Sequence, residues 1–311
     1  GSALRAVKDT RTPMYISIAE NILNVCLNYL FIYICNLGVM GAAIGSALSY
    51  TLSGVLICIA FYKNPLLAGG GNKKSLFENL RECKEIFRKP DKDVVDETVK
   101  IGLPVLGTNV MSCLGYVFFA ALVSGMGTYI FAAHSIAVTA EMLFYIPGFG
   151  FRTAASTLAG ISLGEKNQAK LSAVERISAL VTLVTLSISG LVLYLFAYPL
   201  MCLFTLSERV ALLGSEVLKI VAFSEPLYGL SVVFEGIYYG LGRSRFPFYV
   251  ETFSMWGIRI LFTTICVHVF PFNLHAVWYC MIADIIFKAV FLVLPVFTSP
   301  LRKKLLEISG E

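Results

Sequence analysis

The sequence predicts an all-α polytopic membrane protein with about eight transmembrane helices, and three observations support this fold class. First, 57% of the 311 residues are hydrophobic and only 14% are charged, with a mean hydropathy of +0.76, a balance that soluble domains do not show. Second, apolar windows of about 20 residues, long enough to cross a bilayer, recur along the chain. Third, Lys and Arg concentrate in alternate connections, as multi-pass membrane proteins require.

The apolar windows place candidate spans near 12–35, 39–62, 99–125, 128–160, 172–204, 210–240, 246–269 and 274–297. The short connections at 36–38 and 125–127 predict antiparallel hairpins. The basic residues cluster in the connections 1–11, 63–100, 166–176, 243–245 and 302–304. The positive-inside rule assigns these connections to the cytoplasm. The sequence therefore predicts an inner-membrane protein with both termini of this chain in the cytoplasm, as an even number of spans requires.

The first two spans differ in character. Span one carries a polar stripe at helical spacing, formed by Ser17, Glu20, Asn21, Asn24 and Asn28. Such a stripe must face other helices or an aqueous cavity. Span two has small residues between 39 and 49, which predict close helix packing. Helix–helix hydrogen bonding accounts for the asparagines, whereas Glu20 is a candidate for either a structural or a functional role.

The connection 63–98 is the one long polar segment of the sequence. Ser75 and Glu78 fit a capping box, and the apolar positions that follow predict an amphipathic helix on the membrane surface, ended by Pro90. We predict four regions, which are the last two helices of an amino-terminal lobe, a cytoplasmic linker, a six-helix carboxy-terminal lobe and a cytoplasmic tail. Their bounds are 1–62, 63–98, 99–297 and 298–311.

Span four carries charges at membrane depth. Glu141 and Arg152 flank a Pro-Gly pair at 147–148, which predicts a break in the helix. They are eleven residues apart, roughly 16 Å along a helix axis, so each needs its own partner or water. A charge at the centre of a bilayer costs about 2.5–3.5 kcal/mol on insertion scales. The stretch is therefore either a kinked helix with two structural ion pairs or part of a transport pathway.

Spans three, six and seven supply further candidates for the walls of a cavity or an ion site. Span three carries Asn109 and no acid. In span six, Glu225 lies deep beside Pro226 and is a cation-site candidate, and Tyr228 is a wall contact. Glu235 lies near the cytoplasmic end of span six, where pairing with Arg243 or Arg245 is the simpler interpretation.

In span seven, Trp256 and Arg259 are wall candidates, and Arg259 lies on one face with Glu251, too far along the helix for direct contact. Asp284 and Lys288 in span eight are at i, i+4, which favours an intrahelical ion pair over a proton relay.

Several function classes are not supported. The eight cysteines form no close pairs and lie mostly in apolar runs, which indicates neither a metal site nor a disulfide framework. The net charge of +5 reflects loops between spans and does not indicate nucleic-acid binding. A membrane-embedded enzyme would need a paired-Asp motif, a His-Glu-x-x-His motif or a Ser/His pair at membrane depth, and the sequence has none of these. We expect no catalytic residue, no metal and no cofactor.

The chain contains an internal repeat. Asp9-Thr-Arg-Thr-Pro13 opens span one, Arg243-Ser-Arg-Phe-Pro247 opens span seven, and Leu37-Gly-Val-Met-Gly41 corresponds to Leu274-His-Ala-Val-Trp278. Parallel repeats are typical of secondary transporters built from two bundles. Spans three to eight then form a complete six-helix unit, and spans one and two are the last helices of a preceding unit. The repeat predicts a piece of a twelve-helix protein that lacks its first four helices.

The residues resemble the multidrug and toxic compound extrusion (MATE) family, most closely its bacterial DinF-like branch. The resemblance lies in the run 3–13, Lys100-Ile-Gly-Leu-Pro104, the pattern Ala132-Ala-His134, Glu141, Pro147-Gly-Phe-Gly150, and Met255-Trp-Gly-Ile-Arg259. It implies twelve helices in two lobes and cation-coupled efflux of amphipathic, often cationic compounds. One branch carries a glutamate where Ser112 falls here and an aspartate where Tyr228 falls. The DinF-like branch uses an aspartate in its first helix, which lies outside this chain.

We therefore predict a sodium- or proton-coupled multidrug antiporter that works by alternating access. The candidate substrate or coupling-ion residues are Glu141, Glu225, Glu20, Asn109, Tyr228, Arg152, Trp256 and Arg259. The expected partners are an amphipathic or cationic small molecule and membrane lipid, and the full-length protein is expected to be monomeric. The alternative is a lipid or lipid-linked oligosaccharide flippase of similar fold, which would line its cavity with a cluster of cations.

Overall fold

The computed structural model describes residues 1–64, 92–269 and 273–297, and these residues form helices and no strands. The first helices are α1 (Ser2–Ala6), α2 (Arg11–Tyr29), α3 (Gly38–Lys63), α4 (Lys92–Ser124), α5 (Thr128–Gly164) and α6 (Gln168–Phe204). They are followed by α7 (Glu208–Ala222), α8 (Glu225–Gly240), α9 (Arg245–Phe253), α10 (Leu261–Thr264) and α11 (Leu274–Phe297). Three π-helical stretches, Leu30–Ile34, Ser254–Ile260 and Ile265–Val269, continue α2, α9 and α10. The predicted all-α class is confirmed.

Seven helices of the described residues are long and apolar enough to cross a membrane, and α7 and α8 together form an eighth candidate. The sequence predicted this sixth span as one helix, but its two halves are bent by 57° at Phe223 and Ser224. Pro226 explains the break, because its ring cannot donate to the carbonyl of Ala222 and would collide with it. The Ala222 carbonyl turns instead toward Gly190 of α6. The chain is a multi-pass membrane protein with one broken span.

The predicted break at Pro147-Gly148 is absent, because α5 continues through Pro147 from Thr128 to Gly164. Pro147 leaves the carbonyl of Leu143 without its usual helical donor. One residue further on, the hydroxyl of Ser189 on α6 donates to the carbonyl of Phe144 at 2.7 Å. Membrane helices tolerate proline where a neighbouring hydroxyl supplies hydrogen bonds in this way.

The chain divides into two compact units, Gly1–Lys92 and Asp93–Glu311. In unit 1 the polar stripe of α2 packs against the small residues of α3, which is the first of the two alternatives that the sequence left open for the stripe. The amide of Asn24 donates to the hydroxyls of Ser46 and Ser49, at 3.2 and 3.0 Å. A Cβ on Gly45 would lie 2.5 Å from the Asn28 amide oxygen, so a larger residue there would displace the Asn28 side chain. The asparagines therefore hold the two helices together.

Unit 2 is organised around α5, α6 and α8. Small residues on α5, among them Ala133, Ala137 and Ala140, are fully buried and let neighbouring helices approach. A close backbone approach joins α5 to α8, where a Cβ on Gly240 would lie 2.1 Å from the Ser156 carbonyl oxygen. Small residues at such contacts are typical of membrane helices, which gain little from the hydrophobic effect between them.

Parts of the predicted domain organisation lie outside the described residues. The amphipathic helix between Ser75 and Pro90 and the tail 298–311 belong to this part of the chain. Helix α4 begins at Lys92, earlier than the predicted start at 99. The division of the chain into lobes stays a prediction.

Gly240→Ala tests the close contact between α5 and α8. The added methyl group would meet the Ser156 backbone, and overpacking of this kind costs about 1–3 kcal/mol. Gly150→Ala is the matched control, because that glycine lies on α5 with open space around it. We expect chemical denaturation in detergent to show a loss of stability for Gly240→Ala alone. Equal stability of both variants would contradict the contact.

Candidate functional site

Unit 2 contains a partly open cavity of about 550 Å³ between α4, α5, α8, the π-helical stretch after α9, and α11. Its lining includes the polar and ionisable residues Tyr116, His134, Ser135, Glu141, Tyr145, Tyr228 and Arg259. Phenylalanine, methionine and aliphatic side chains complete the wall. The volume lies in the range of small-ligand sites, and a mainly apolar wall with a few polar groups is their usual composition.

Glu141 is the carboxylate of this cavity. It follows Ala133, Ala137 and Ala140 on the buried face of α5, and only 8% of its surface is exposed. No hydrogen bond or ion pair to its side chain occurs among the described residues. A buried carboxylate without a partner is costly, and it persists in membrane proteins where it binds a ligand or a proton. Of the two alternatives that the sequence left open for Glu141, the structural ion pair is not formed among the described residues, and a role in a transport pathway stays a prediction.

Arg259 is the cation of the cavity, and a buried network neutralises it. Its guanidinium lies 2.6 Å from Asp284 of α11, and Asp284 also lies 3.3 Å from Lys288. Lys288 in turn lies 2.9 Å from Glu251 of α9. Ser254 donates a further hydrogen bond to the Asp284 carboxylate. Two cations therefore balance two carboxylates, so the charge of Glu141 remains uncompensated by this network.

The network corrects part of the sequence analysis. The i, i+4 pair of Asp284 and Lys288 is confirmed, but it is one link of a chain that joins α9 and α11. Glu251 and Arg259 do not touch each other, as expected, and each instead reaches α11. Arg259 lies in a π-helical stretch, a feature that often occurs at functional sites. The 3.6-residue periodicity of a regular α-helix therefore could not predict which way the Arg259 side chain faces.

Aromatic side chains surround the two charges. The guanidinium of Arg259 lies 5.6 Å from the ring centres of both Tyr116 and Phe119. The rings of Tyr145 and Tyr228 lie 5.1 Å apart, which places the predicted wall residue Tyr228 in the cavity. Aromatic faces attract cations within about 6 Å. The wall is therefore suited to a cation that carries apolar groups.

His134 was not selected as a site residue by the sequence analysis. It lines the cavity and makes edge contacts with Phe119 and Trp278, at centroid distances of 5.4 and 5.8 Å. Its Nδ1 is buried without a hydrogen-bond partner. The sequence spacing could have identified His134, because it lies seven residues before Glu141, which is two turns away on the same helix face.

Arg152 and Glu235 form an ion pair at 3.1 Å, outside the cavity lining. Tyr239 donates a 2.7 Å hydrogen bond to the same carboxylate, and its ring lies under the Arg152 guanidinium. The predicted pairing of Glu235 with Arg243 or Arg245 was wrong, because α5 and α8 approach closely enough for Arg152 to reach it. This pair fits the structural interpretation of Arg152.

The other candidates are not among the residues that line the cavity. Glu225 opens α8 at the break, is 2% exposed, and has a buried Oε2 without a partner. Asn109 is exposed, and Trp256 donates to the Met111 carbonyl at 3.3 Å, and neither lines the cavity. Glu20, in unit 1, accepts a hydrogen bond from Ser53 at 2.5 Å. In the part of the chain that the structure describes, no group of three His, Cys, Asp or Glu residues could hold a metal.

Comparison with known protein families identifies the family of this chain. The MatE family model matches residues 104–265, which is about half of the chain and includes Glu141, Tyr228 and Arg259. The chain belongs to the MATE family. A MATE relative from Thermotoga maritima, described as a probable multidrug resistance protein NorM, is 27% identical over 296 residues. The match covers 94% of this chain and 61% of that protein.

A second relative, described as the probable multidrug resistance protein YoeA of Bacillus subtilis, is 20% identical over 282 residues. The match covers 88% of this chain and 58% of the relative. The chain thus spans about three fifths of the length of these relatives. The resemblance to the MATE family is confirmed, whereas the DinF-like branch stays a prediction.

Solved MATE structures share the fold. A MOP superfamily transporter from Pyrococcus furiosus superposes with a TM-score of 0.82 at 20% identity, covering 99% of this chain and 65% of the other. The Vibrio cholerae MATE transporter VcmN in the bent form gives a TM-score of 0.77, also at 20% identity, with the same coverage. These likenesses confirm the helical architecture of the MATE chain.

Asp284→Asn tests the buried network. Asparagine keeps the shape but leaves Arg259 without its close carboxylate, and breaking a buried pair costs about 3–5 kcal/mol. Glu216→Gln is the control, because its contact with His275 is exposed, and such pairs contribute at most about 1 kcal/mol. Denaturant titration of both variants in detergent should separate them. A similar small loss in both would show that the network does not hold Arg259.

Proposed function

We propose that this chain is part of a cation-coupled multidrug efflux antiporter, with the unit 2 cavity as a binding site for exported compounds and the coupling ion. The observation that carries the proposal is Glu141, a buried carboxylate without a partner among the described residues, in an aromatic cavity of about 550 Å³. The multidrug resistance names of the relatives support the same function.

The cavity favours amphipathic cations. Tyr116, Tyr145 and Tyr228 offer aromatic faces, and Glu141 supplies one negative charge that the Arg259 network does not neutralise. A lipophilic cation would gain apolar contact and a counter-charge in the same site. The proposed substrates are therefore amphipathic, often cationic compounds of varied shape, because apolar walls impose little directional selection.

Coupling would follow from competition for Glu141. One carboxylate cannot neutralise a drug cation together with a sodium ion or a proton, so binding of one disfavours the other. Alternating access of the binding site to the two sides of the membrane then converts this competition into exchange. The coupling ion is proposed to be sodium or a proton, with no other cofactor.

Glu225 is the second proposed coupling acid. It is more deeply buried than Glu141, and it begins α8 at the 57° break of the span. Broken helices in transporters provide freed backbone groups that bind ions. A cation or proton at Glu225 would compensate a charge that lacks a partner on its Oε2.

The flippase alternative is less well supported. A flippase for anionic lipid-linked substrates would need several uncompensated cations in its cavity. Arg259 is paired with Asp284, and Arg152 is paired with Glu235 outside the cavity lining. We favour the antiporter, in the inner membrane, with both ends of this chain in the cytoplasm and a monomeric full-length protein.

Glu141→Gln should strongly reduce ion-driven export, because glutamine keeps the size of the side chain but lacks the negative charge that binds a cation. Efflux of ethidium from vesicles containing the native protein would be measured under a sodium gradient and, separately, under a pH gradient. We expect a loss of about tenfold or more, the effect of one lost charge contact of about 1.4 kcal/mol. Glu165→Gln, which alters an exposed pair with Lys170, should retain efflux.

Glu225→Gln distinguishes one coupling acid from two. If both acids bind the ion, this variant should export ethidium under a drug gradient yet lose the dependence on the ion gradient. Unchanged dependence on both gradients would remove Glu225 from the coupling site. Unchanged efflux of the Glu141 variant would overturn the proposed function.

A further inference from the structure

A second concave surface of unit 2 lies away from the cavity. It is an open groove of about 530 Å³ between α6, α7, the start of α8, and α11. Tyr194, Phe223, Leu227 and Tyr279 contribute its apolar and aromatic wall, and Lys219 is its one charged lining residue. Phe223 is 75% exposed and Tyr279 is 58% exposed, so the groove is accessible in unit 2.

Lys219 is unusual in this position. It is an exposed residue of α7, eleven residues after Glu208 and roughly 16 Å from it along the helix axis. The structure gives its ammonium no ion pair or hydrogen bond among the described residues. The nearest acid on the same helix, Glu216, instead contacts His275 at 3.0 Å. An exposed lysine beside an apolar groove, without a counter-charge among the described residues, is free to bind an external partner.

The helix geometry indicates from which end of α7 a partner would reach Lys219. Side chains on an α-helix tilt toward its amino terminus, so the stem of Lys219 extends toward Glu208. That end lies opposite the basic connections 166–176 and 243–245, on the side that the charge pattern assigns to the exterior. Lysine commonly extends its ammonium toward the head-group region in this way. The groove then continues inward, past Phe223, with apolar walls.

We propose that this groove binds one anionic phospholipid, with its phosphate at the Lys219 ammonium and an acyl chain along Phe223, Leu227 and Tyr279. Charge complementarity selects the head group, because Lys219 brings one positive charge that a net-neutral lipid would not neutralise. The apolar wall favours a ligand with an acyl chain, since a free anion would leave the apolar part of the groove unoccupied. The volume lies within the range of bound small ligands. This site is separate from the Glu141 cavity and does not depend on the antiporter proposal.

The test is native mass spectrometry of the 311-residue chain in detergent. Phosphatidylglycerol and phosphatidylcholine with identical acyl chains would be titrated separately, and the first bound lipid would be quantified. We expect the chain to bind phosphatidylglycerol more tightly, by about fivefold for one basic residue near an anionic head group. Lys219→Gln should remove this preference, and Lys219→Arg should keep it.

Lys100→Gln is the matched control. Lys100 is an exposed lysine on α4, outside the groove lining, and its loss should leave the preference unchanged. Equal effects of Lys219→Gln and Lys100→Gln would show general attraction to surface cations and would overturn the proposal. Absence of lipid binding to the unaltered chain would do the same.

Competition with inorganic phosphate and with oleate tests the contributions of the phosphate group and of the acyl chain separately. Inorganic phosphate should not displace phosphatidylglycerol at equal concentration, because it lacks the chain. Displacement by phosphate would identify a simple anion site and would reject the lipid. Oleate binding as tight as that of phosphatidylglycerol would identify a fatty acid as the ligand and would reject the phospholipid.

Discussion

The cost of an unpaired charge inside a membrane governs the arrangement of unit 2. Deep charges on different helices meet in pairs, with Arg259 on Asp284, Lys288 on Glu251 and Arg152 on Glu235. Each pair links two segments that are distant in sequence, so desolvation that would expel a single charge instead fixes the packing of helices. Against this background, a buried carboxylate without a hydrogen bond or ion pair is a specific signal, and Glu141 and Glu225 give it among the residues that the structure describes.

Irregularities of the helix backbone determine where the Arg259 and Glu225 side chains lie. Arg259 lies in a π-helical stretch and Glu225 follows the break before Pro226. In both places the regular helix is interrupted and the side chain no longer follows the 3.6-residue repeat. By contrast, Pro147 lies in a continuous helix, because Ser189 on the adjacent helix supplies a nearby hydrogen bond. The consequence of a proline therefore depends on its neighbours in space, which explains why two similar sequence signals have opposite outcomes.

The sequence predicted what depends on local composition. Span positions follow from apolar length, and the packing of α2 on α3 follows from the asparagine stripe and the small residues near Gly45. Glu141 and Tyr228 were selected because a polar group in an apolar membrane helix is costly unless it faces other helices or a cavity. Contacts between distant segments could not be predicted: nothing local indicates that Arg152 reaches Glu235, or that Asp284 serves both Lys288 and Arg259. His134 and Lys219 were passed over because each is an isolated polar residue, whose meaning comes from the concave surface around it.

Under the proposed function, the charge balance would explain how one cavity binds many compounds. Because the Arg259 network is neutral as a whole, one negative charge, that of Glu141, is left to attract a cation. The aromatic rings around it accept cations over a broad range of positions, without the fixed directions of hydrogen bonds. A site with one charge and an adaptable wall distinguishes cations from neutral molecules but hardly distinguishes one amphipathic cation from another. Broad specificity and ion competition would then both follow from leaving a single carboxylate unpaired.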